Sequence, residues 1–234
     1  MEFVARLRSA VKGGRKRGSA WVRAFDLVRE LPTAGGRARL WTGLTSRGLV
    51  HQAAADTWEE RYPAIFDGAA NLVPDAGRIL SFGCSTGEEL ISLRRRFPNA
   101  RIVGAEINGR SRRIAARRAA ADAGIELVKP ERIDGGFDLV FALGVFQRDP
   151  HWVEEAPLQD LSPHYPFDLF DRTVRDLVAR LRGGGLLCVM YSQYLVDMPL
   201  LEPVPDSPTT PGPFFAPSGE RLSRISAPAI YRKR

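Results

Sequence analysis

The stretch from Arg78 to Glu89 constrains this chain more than any other. A short apolar run, Ile79 to Phe82, enters a loop bracketed by Gly83 and Gly87, and Glu88 and Glu89 then open a helical pattern. Glycine carries no Cβ, so the backbone at both positions can turn sharply and pass close to a ligand lying across the strand's carboxyl end. A strand that feeds such a loop straight into a helix is the first half of a strand-helix-strand unit, whose strands lie parallel in one sheet.

The rest of the chain repeats that unit. Leu90, Leu93 and Phe97 recur at helical spacing until Pro98, and Arg101 to Glu106 reads as a second strand. A helix through Ile114, Ala115 and Ala119 runs to Gly124, and strands follow at Ile125 to Val128 and Phe137 to Leu143. Phe167, Phe170, Val174, Leu177, Val178 and Leu181 mark an amphipathic helix, which Gly183-Gly184-Gly185 is expected to end before a fifth strand at Leu186 to Tyr191. Upstream, Trp58, Tyr62, Ile65, Phe66, Ala69 and Leu72 predict a helix from Ala53 to Leu72, interrupted by Pro63. This alternation predicts an α/β fold, a doubly wound, mostly parallel sheet with helices on both faces. Residues 199 to 217 hold seven prolines and read as a loop or lid, after which Ile225, Ile230 and Tyr231 suit an edge strand.

Charge divides the chain differently. Residues 1 to 50 hold eleven Lys and Arg against three Asp and Glu, more than the whole net charge of +7. Phe3, Val4, Leu7 and Val11 stand among Arg6, Arg8, Lys12, Arg15, Lys16 and Arg17, a basic amphipathic pattern. The expected organisation is a basic, partly helical extension over 1–52 and a binding domain over 53–234. The extension suits a nucleic acid, an anionic membrane surface, or a solvated helix with no partner. No apolar run nears the roughly 18 residues of a membrane span, Met1 to Ala20 lacks a secretory core, and Cys84 and Cys188 carry no CxxC spacing. A cytoplasmic protein without a transmembrane segment is expected. With 44% hydrophobic and 26% charged residues the chain has material for a core, which excludes a disordered polymer.

Glu106 closes the second strand 19 residues beyond Gly87, where an acid can accept hydrogen bonds from both hydroxyls of a ribose. A dinucleotide fold uses a similar spacing, but the G-x-G-x-x-G series is absent: Ser85 holds its middle position. Glu88 and Glu89 also put negative charge where a pyrophosphate needs a bare helix N-terminus.

Gly83-Cys-Ser-Thr-Gly-Glu-Glu89 resembles motif I of the class I S-adenosylmethionine-dependent methyltransferases, in the variant found in chemotaxis-receptor methyltransferases. The resemblance extends over about residues 78 to 191, through Glu106, the fourth strand and Leu181-Arg-Gly-Gly-Gly-Leu186. It implies a Rossmann-like sheet of about seven strands with a reversed seventh, and S-adenosylmethionine over strands one, two and four. Gly83, Cys84, Ser85 and Gly87 would then underlie the methionine part of the donor, Glu106 would hold the ribose, Ile107 would meet the adenine, and Leu143 and Gly144 would border the sulfonium. The acid usual two residues before the first glycine is Ser81 here, which leaves the amino group to Glu88, Glu89 or water. Glu131 is a candidate for the adenine amino group. Outside the motif the chemotaxis resemblance stops: residues 1 to 77 are short for that family's helical domain, and no β-subdomain precedes strand five.

Methyl transfer is an in-line displacement that alignment and desolvation can drive, so no strong acid-base constellation is required. His151 follows strand four and is the candidate general base, against a merely structural reading. Tyr191, Gln193 and Tyr194 end strand five at the same mouth, as substrate-orienting groups or as packing. Asp138 lies at the opposite end and reads as structural, and Cys84 as a backbone contact. With no carboxylate cluster after strand four, metal-free transfer to a small-molecule acceptor is expected. The alternatives are a non-catalytic binder of S-adenosylmethionine or a nucleotide, and a nucleic-acid methyltransferase guided by the basic N-terminus.

Overall fold

The computed structural model describes residues 32–46, 49–52, 57–148, 150, 153 and 158–234. Ile79, Leu80 and Ser81 of β1 (Arg78–Phe82) are sealed from solvent on both faces. A strand without a solvent face needs neighbours on both edges and cover above and below. It pairs in parallel with β2 (Arg101–Ala105) on one side and β4 (Phe137–Leu143) on the other. β3 (Ile125–Val128) extends the sheet beyond β2, and β5 (Leu181–Met190) extends it beyond β4, both parallel.

The main sheet has seven strands, in the order β3-β2-β1-β4-β5 followed by β9 (Ile230–Lys233) and β6 (Leu201–Pro203). β9 runs antiparallel to β5, and β6 antiparallel to β9. This is the doubly wound, Rossmann-like α/β sheet with a reversed strand that the sequence led us to expect. The chain steps outward from β1 to β2 and β3, then returns to β4 on β1's other edge. The crevice at the carboxyl ends of β1 and β4 is therefore the topological switch point.

Alternate residues of the strands build two cores. Leu80, Val140 and Leu187 pack on one face with Phe170, Val174 and Leu177 of α5 (Phe167–Arg180). Ile79, Leu139 and Leu186 pack on the other with Ile65 and Phe66 of α2 (Pro63–Leu72) and Leu90 and Leu93 of α3 (Glu88–Arg96). α4 (Gly109–Arg118) connects β2 to β3 and is capped by Asn108, whose side chain accepts from the Arg110 and Ser111 amides. At the far end of the sheet Asp138 accepts from the Gly77 and Arg78 amides at 2.9 and 2.8 Å and pairs with Arg182, which is the structural role expected of it.

Four elements depart from the sequence pattern. The helix expected from Ala53 starts at Pro63, and 57–62 are not helical, because proline is tolerated only in a helix's first turn; residues 53–56 lie outside the described set. Gly183 to Gly185 do not cap α5. The helix stops at Arg180, Leu181 already pairs with Phe137, and the glycines form an irregularity before Leu139 pairs with Leu186. A Cβ at Gly185 would sit 3.0 Å from the Asp138 carbonyl, so any larger residue would press the two strands apart there. The proline-rich 199–217, expected as a loop or lid, carries two short strands, β6 and β7 (Thr209–Pro211), the latter paired with β8 (Ser226–Pro228), between irregular turns, and it buries Phe214 and Phe215. Strands of three residues keep proline off any long ladder. Finally, β9 lies inside the sheet, between β5 and β6, rather than at its edge.

The chain divides into two units at Thr45/Ser46, where the sequence pattern placed the division at 52/53. The first contributes α1 (Ala34–Thr45). Most of its basic arm, through residue 31, lies outside the described residues, and with it the surface read as meeting nucleic acid or membrane. Among the described residues no helix is long and apolar enough to cross a membrane.

His51 belongs to the second unit and is buried there. The Thr173 hydroxyl donates to the Leu169 carbonyl, so it accepts from His51 Nε2, 3.0 Å away. Nδ1 is then the bare nitrogen that receives the Tyr165 hydroxyl at 2.5 Å. Burial first, and the Arg148 guanidinium second, hold this imidazole's pKa down at about 3. Below an ordinary histidine's pKa of about 6.5 the unfolded chain binds a proton that the folded ring refuses, so the stabilisation is complete above that pH and is lost as pH falls towards 3. Between about pH 7.5 and about pH 5, urea unfolding should show a loss of roughly 2 kcal/mol from this group. His51→Gln, which keeps hydrogen-bonding atoms but cannot be protonated, should show a clearly smaller loss; equal losses in the two proteins would overturn the assignment.

Candidate functional site

At the end of β1 the chain reverses through a tight loop in which Gly83, Ser85 and Gly87 adopt φ of +77°, +50° and +92°. The Gly83 and Cys84 amides both donate to the Ala105 carbonyl, at 2.8 and 3.2 Å, which pins the loop over the end of β2. The two glycines serve different ends. A Cβ on Gly83 would stand 2.6 Å from Val145 Cγ2, whereas one on Gly87 would stand 3.0 Å from Ala115 Cα and Cβ, so Gly87 lets α3 start against α4. Ser85 has no such licence for positive φ, and its buried hydroxyl has no hydrogen-bond partner.

Glu106 explains how Ser85 is held. Its Oε2 accepts from the Ser85 amide at 2.9 Å and its Oε1 from the Asn108 amide at 2.6 Å. This acid, which closes β2 in the sequence pattern, is only 8% exposed, because the turns before α3 and α4 close around it. Burial raises its pKa, and the Asn108 and Ser85 amides pull it back. Ile107 is half-buried beside it, and Glu131 is exposed on a short 3-10 turn, Pro130–Arg132, away from the pocket.

A pocket opens over the switch point. From the residues singled out in the sequence it gathers Gly83, Cys84, Ser85, Glu89, Leu143 and Gly144, and it adds Gln52, Arg61 and Tyr62. Gly87, Glu106, Ile107 and Glu131 do not line it, and His151 lies outside the described residues. The thiol of Cys84 is wholly buried, and burial pushes its pKa well up, so it makes no nucleophile.

The adjacent acids Glu88 and Glu89 have opposite fates. Glu88 accepts from the Thr86 hydroxyl and pairs with Arg118 at 2.5 Å, away from the pocket. Glu89 lines the pocket, with Oε1 accepting from the Ser81 hydroxyl at 2.6 Å. Burial lifts its pKa to about 7, against the lowering by the Ser81 bond and by Arg61.

Tyr62 is the feature the sequence concealed, because its place in the helical repeat makes it look like core. It precedes α2, is 8% exposed, and its hydroxyl has no partner. A Cβ on Gly144 would lie 3.1 Å from that hydroxyl. Arg61 spreads its guanidinium over the Trp58 and Tyr62 rings, 4.6 and 5.1 Å from their centroids. Buried polar groups are almost always paired, so two orphaned hydroxyls, Ser85 and Tyr62, lining one pocket mark where a ligand's polar atoms go. Of the residues ending β5, Tyr194 is packing, its hydroxyl donating to the Tyr165 carbonyl, and the Gln193 amide is spent on the Arg148 backbone.

No family model matches the chain. No curated protein matches it by sequence. Among solved structures it is similar to CalS10, an amino pentose methyltransferase from Micromonospora echinaspora with S-adenosylmethionine bound, at 23% identity and TM-score 0.42, over 62% of this chain and 53% of that one. It is also similar to the N-methyltransferase NodS from Bradyrhizobium japonicum WM9 in complex with S-adenosyl-L-homocysteine, at 16% identity and TM-score 0.42, over 56% and 59% of the two chains. A third is the plantazolicin methyltransferase BpumL in complex with the same product, at 10% identity and TM-score 0.41, over 70% and 56%. The chain thus spans little more than half the length of each.

The loop geometry is open to direct measurement. Gly83→Ala meets both a positive φ and Val145, and should lower unfolding stability by about 1–3 kcal/mol. Gly183→Ala, whose Cβ would meet nothing within 4 Å, should change it by less than about 0.5 kcal/mol. Equal effects in denaturant titrations would mean that the tight loop is not as described.

Proposed function

We propose that the protein is an S-adenosylmethionine-dependent methyltransferase that acts without a metal on a small-molecule acceptor. The observation that carries this reading is Glu89: a carboxylate held by Ser81 in a pocket at the switch point, beside a glycine loop and two orphaned hydroxyls. An acid there repels a pyrophosphate and suits an ammonium and a sulfonium.

Glu89 would take the donor's ammonium, doing from the first turn of α3 what Ser81 cannot do from β1. Gly83 to Ser85 would run beneath the methionine part, and the Ser85 hydroxyl would gain the partner it lacks. Glu106, which already accepts from backbone amides of Ser85, Ile107 and Asn108, would receive the ribose hydroxyls on its remaining acceptor capacity while keeping the loop in place. Leu143 and Gly144 would border the sulfonium, where the absence of a Cβ leaves room below the Tyr62 hydroxyl. The bound donor supplies an activated methyl group, which passes to a lone pair of the acceptor while the carbon–sulfur pair stays on sulfur. What the chain's own residues contribute is alignment and exclusion of water.

Calorimetry with S-adenosylhomocysteine and NAD tests the reading. The former should bind and NAD should bind far more weakly; comparable NAD affinity would remove the claim. The pH dependence tests Glu89 itself. Its carboxyl titrates near 7 in the free protein, so below that pH a proton must leave before an ammonium can pair. Affinity should be level above about pH 7 and fall by up to about tenfold per pH unit below it. Glu89→Gln should bind more weakly and lose this slope, and a wild-type profile that is flat from pH 5 to 8 would take Glu89 off the amino group.

A further inference from the structure

Residues 57–62 divide between two tasks. Thr57, Trp58, Arg61 and Tyr62 line the pocket at the switch point. Glu59 and Glu60, between them, reach the last turn of α3 instead. Arg95 pairs with both, Arg96 pairs with Glu60 and with Asp67 of α2, each at 2.7 Å, and the Ser92 hydroxyl accepts from the Glu60 amide at 2.9 Å.

This attachment is kept against a cost. Glu60 has a φ of +56°, in the left-handed region where a side chain crowds its own backbone. Glycine or asparagine would take that turn with less strain, so a carboxylate stands there for what it binds. An isolated exposed ion pair contributes little. Here, however, two acids of one segment meet two arginines of one helical turn, and Arg96 is held further by Asp67 and over the Phe66 ring, 5.3 Å from its centroid. Arg96 is thereby fixed between α2 and α3, and the segment is fixed to it.

The same helix carries the acid that faces the pocket. Glu89 stands in the first turn of α3 and Arg96 in the last, about 10 Å apart along one rigid rod. The titratable groups that interact with Glu89 are Arg61 and Tyr62 of the segment, Cys84 of the glycine loop and Cys188 of β5. Arg61 is the charged one among them, and it favours the ionised acid where burial opposes it. Where residues 57–62 lie therefore sets how readily Glu89 gives up its proton.

We propose, resting on the reading of Glu89 as the ammonium's partner, that Glu60, assisted by Glu59, is a positioning residue of the donor site. Its pairing with the end of α3 holds residues 57–62 as a wall that keeps the Arg61 guanidinium within reach of Glu89.

The test follows the affinity of the full chain for S-adenosylhomocysteine by calorimetry, from about pH 5.5 to about pH 8.5. Glu60→Asn keeps a residue suited to the turn and removes the charge, and Glu59→Gln leaves the backbone untouched. Both should unfold within about 2 °C of wild type. Glu60→Asn should weaken binding at least about threefold near neutral pH and move the midpoint of the pH profile up by at least about half a unit, because Arg61 no longer offsets burial. Glu59→Gln should shift both the same way by less, and it alone decides if Glu60→Asn unfolds early. Glu202→Gln breaks an exposed pair with Arg234 and should change neither quantity; a shifted midpoint there would trace the effect to net charge and overturn the assignment. A merely loosened fold would weaken binding at every pH and leave the midpoint in place. If S-adenosylhomocysteine fails to bind wild type, or binds with a flat profile, the reading of Glu89 falls and this one with it. If the wild-type profile bends near 7 and neither variant moves the midpoint, whether or not affinity drops, the role of Glu60 alone is overturned.

Discussion

Two hydrogen bonds to one carboxylate organise the working end of this sheet. Glu106 joins the amide of Ser85, in the loop after β1, to that of Asn108, in the turn after β2. Without that acceptor Ser85 would have no reason to stay at positive φ, and the floor of the pocket would be free to relax. The same group explains why the loop can be so short: the Gly83 and Cys84 amides take the Ala105 carbonyl, and the next free amide is taken by the acid that follows. Burial makes the arrangement stronger than it would be in water, since a carboxylate bonded to backbone donors is poorly screened.

The two acids that open α3 show how one turn of helix separates structure from chemistry. Both sit where the helix dipole favours negative charge. Consecutive residues point about 100° apart on a helix, so Glu88 reaches Arg118 while Glu89 turns back over β1 to Ser81. The second is desolvated beside the pocket, which is why its proton affinity is lifted towards neutrality.

What was legible in the sequence was what is written contiguously. The five parallel strands are apolar runs punctuated by turn residues, and the loop of Gly83 to Glu89 is a single stretch. The errors fall where the deciding partner is distant or anonymous. Gly183 to Gly185 follow an amphipathic helix as a C-cap would, and only the Asp138 carbonyl, across the sheet, reveals an irregular strand start. The prolines of 199–217 hide β6 because its pairing partner begins at Ile230. The burial of Glu106 is invisible in the sequence because the groups that close around it include backbone amides, which carry no residue identity. Tyr62 looked like core because its ring is core; its unpaired hydroxyl depends on Gly144, far along the chain. The expected general base His151 lies outside the described residues, so its role rests on its sequence position alone.

The order of strands also carries a consequence for how the molecule is made. Among the described residues β6 pairs with the main sheet only through β9, and β9 follows both β5 and β6 in the chain while sitting between them. As the polypeptide leaves the ribosome, the parallel half of the sheet can assemble with its outer edge at β5 still unpaired, and β6 has nowhere to dock. An exposed strand edge of this kind invites pairing with other chains. Insertion of Ile230 to Lys233 against Leu186 to Cys188 closes that edge and recruits β6 at once, so the interval between the making of β5 and of β9 sets how long the nascent sheet stays adhesive.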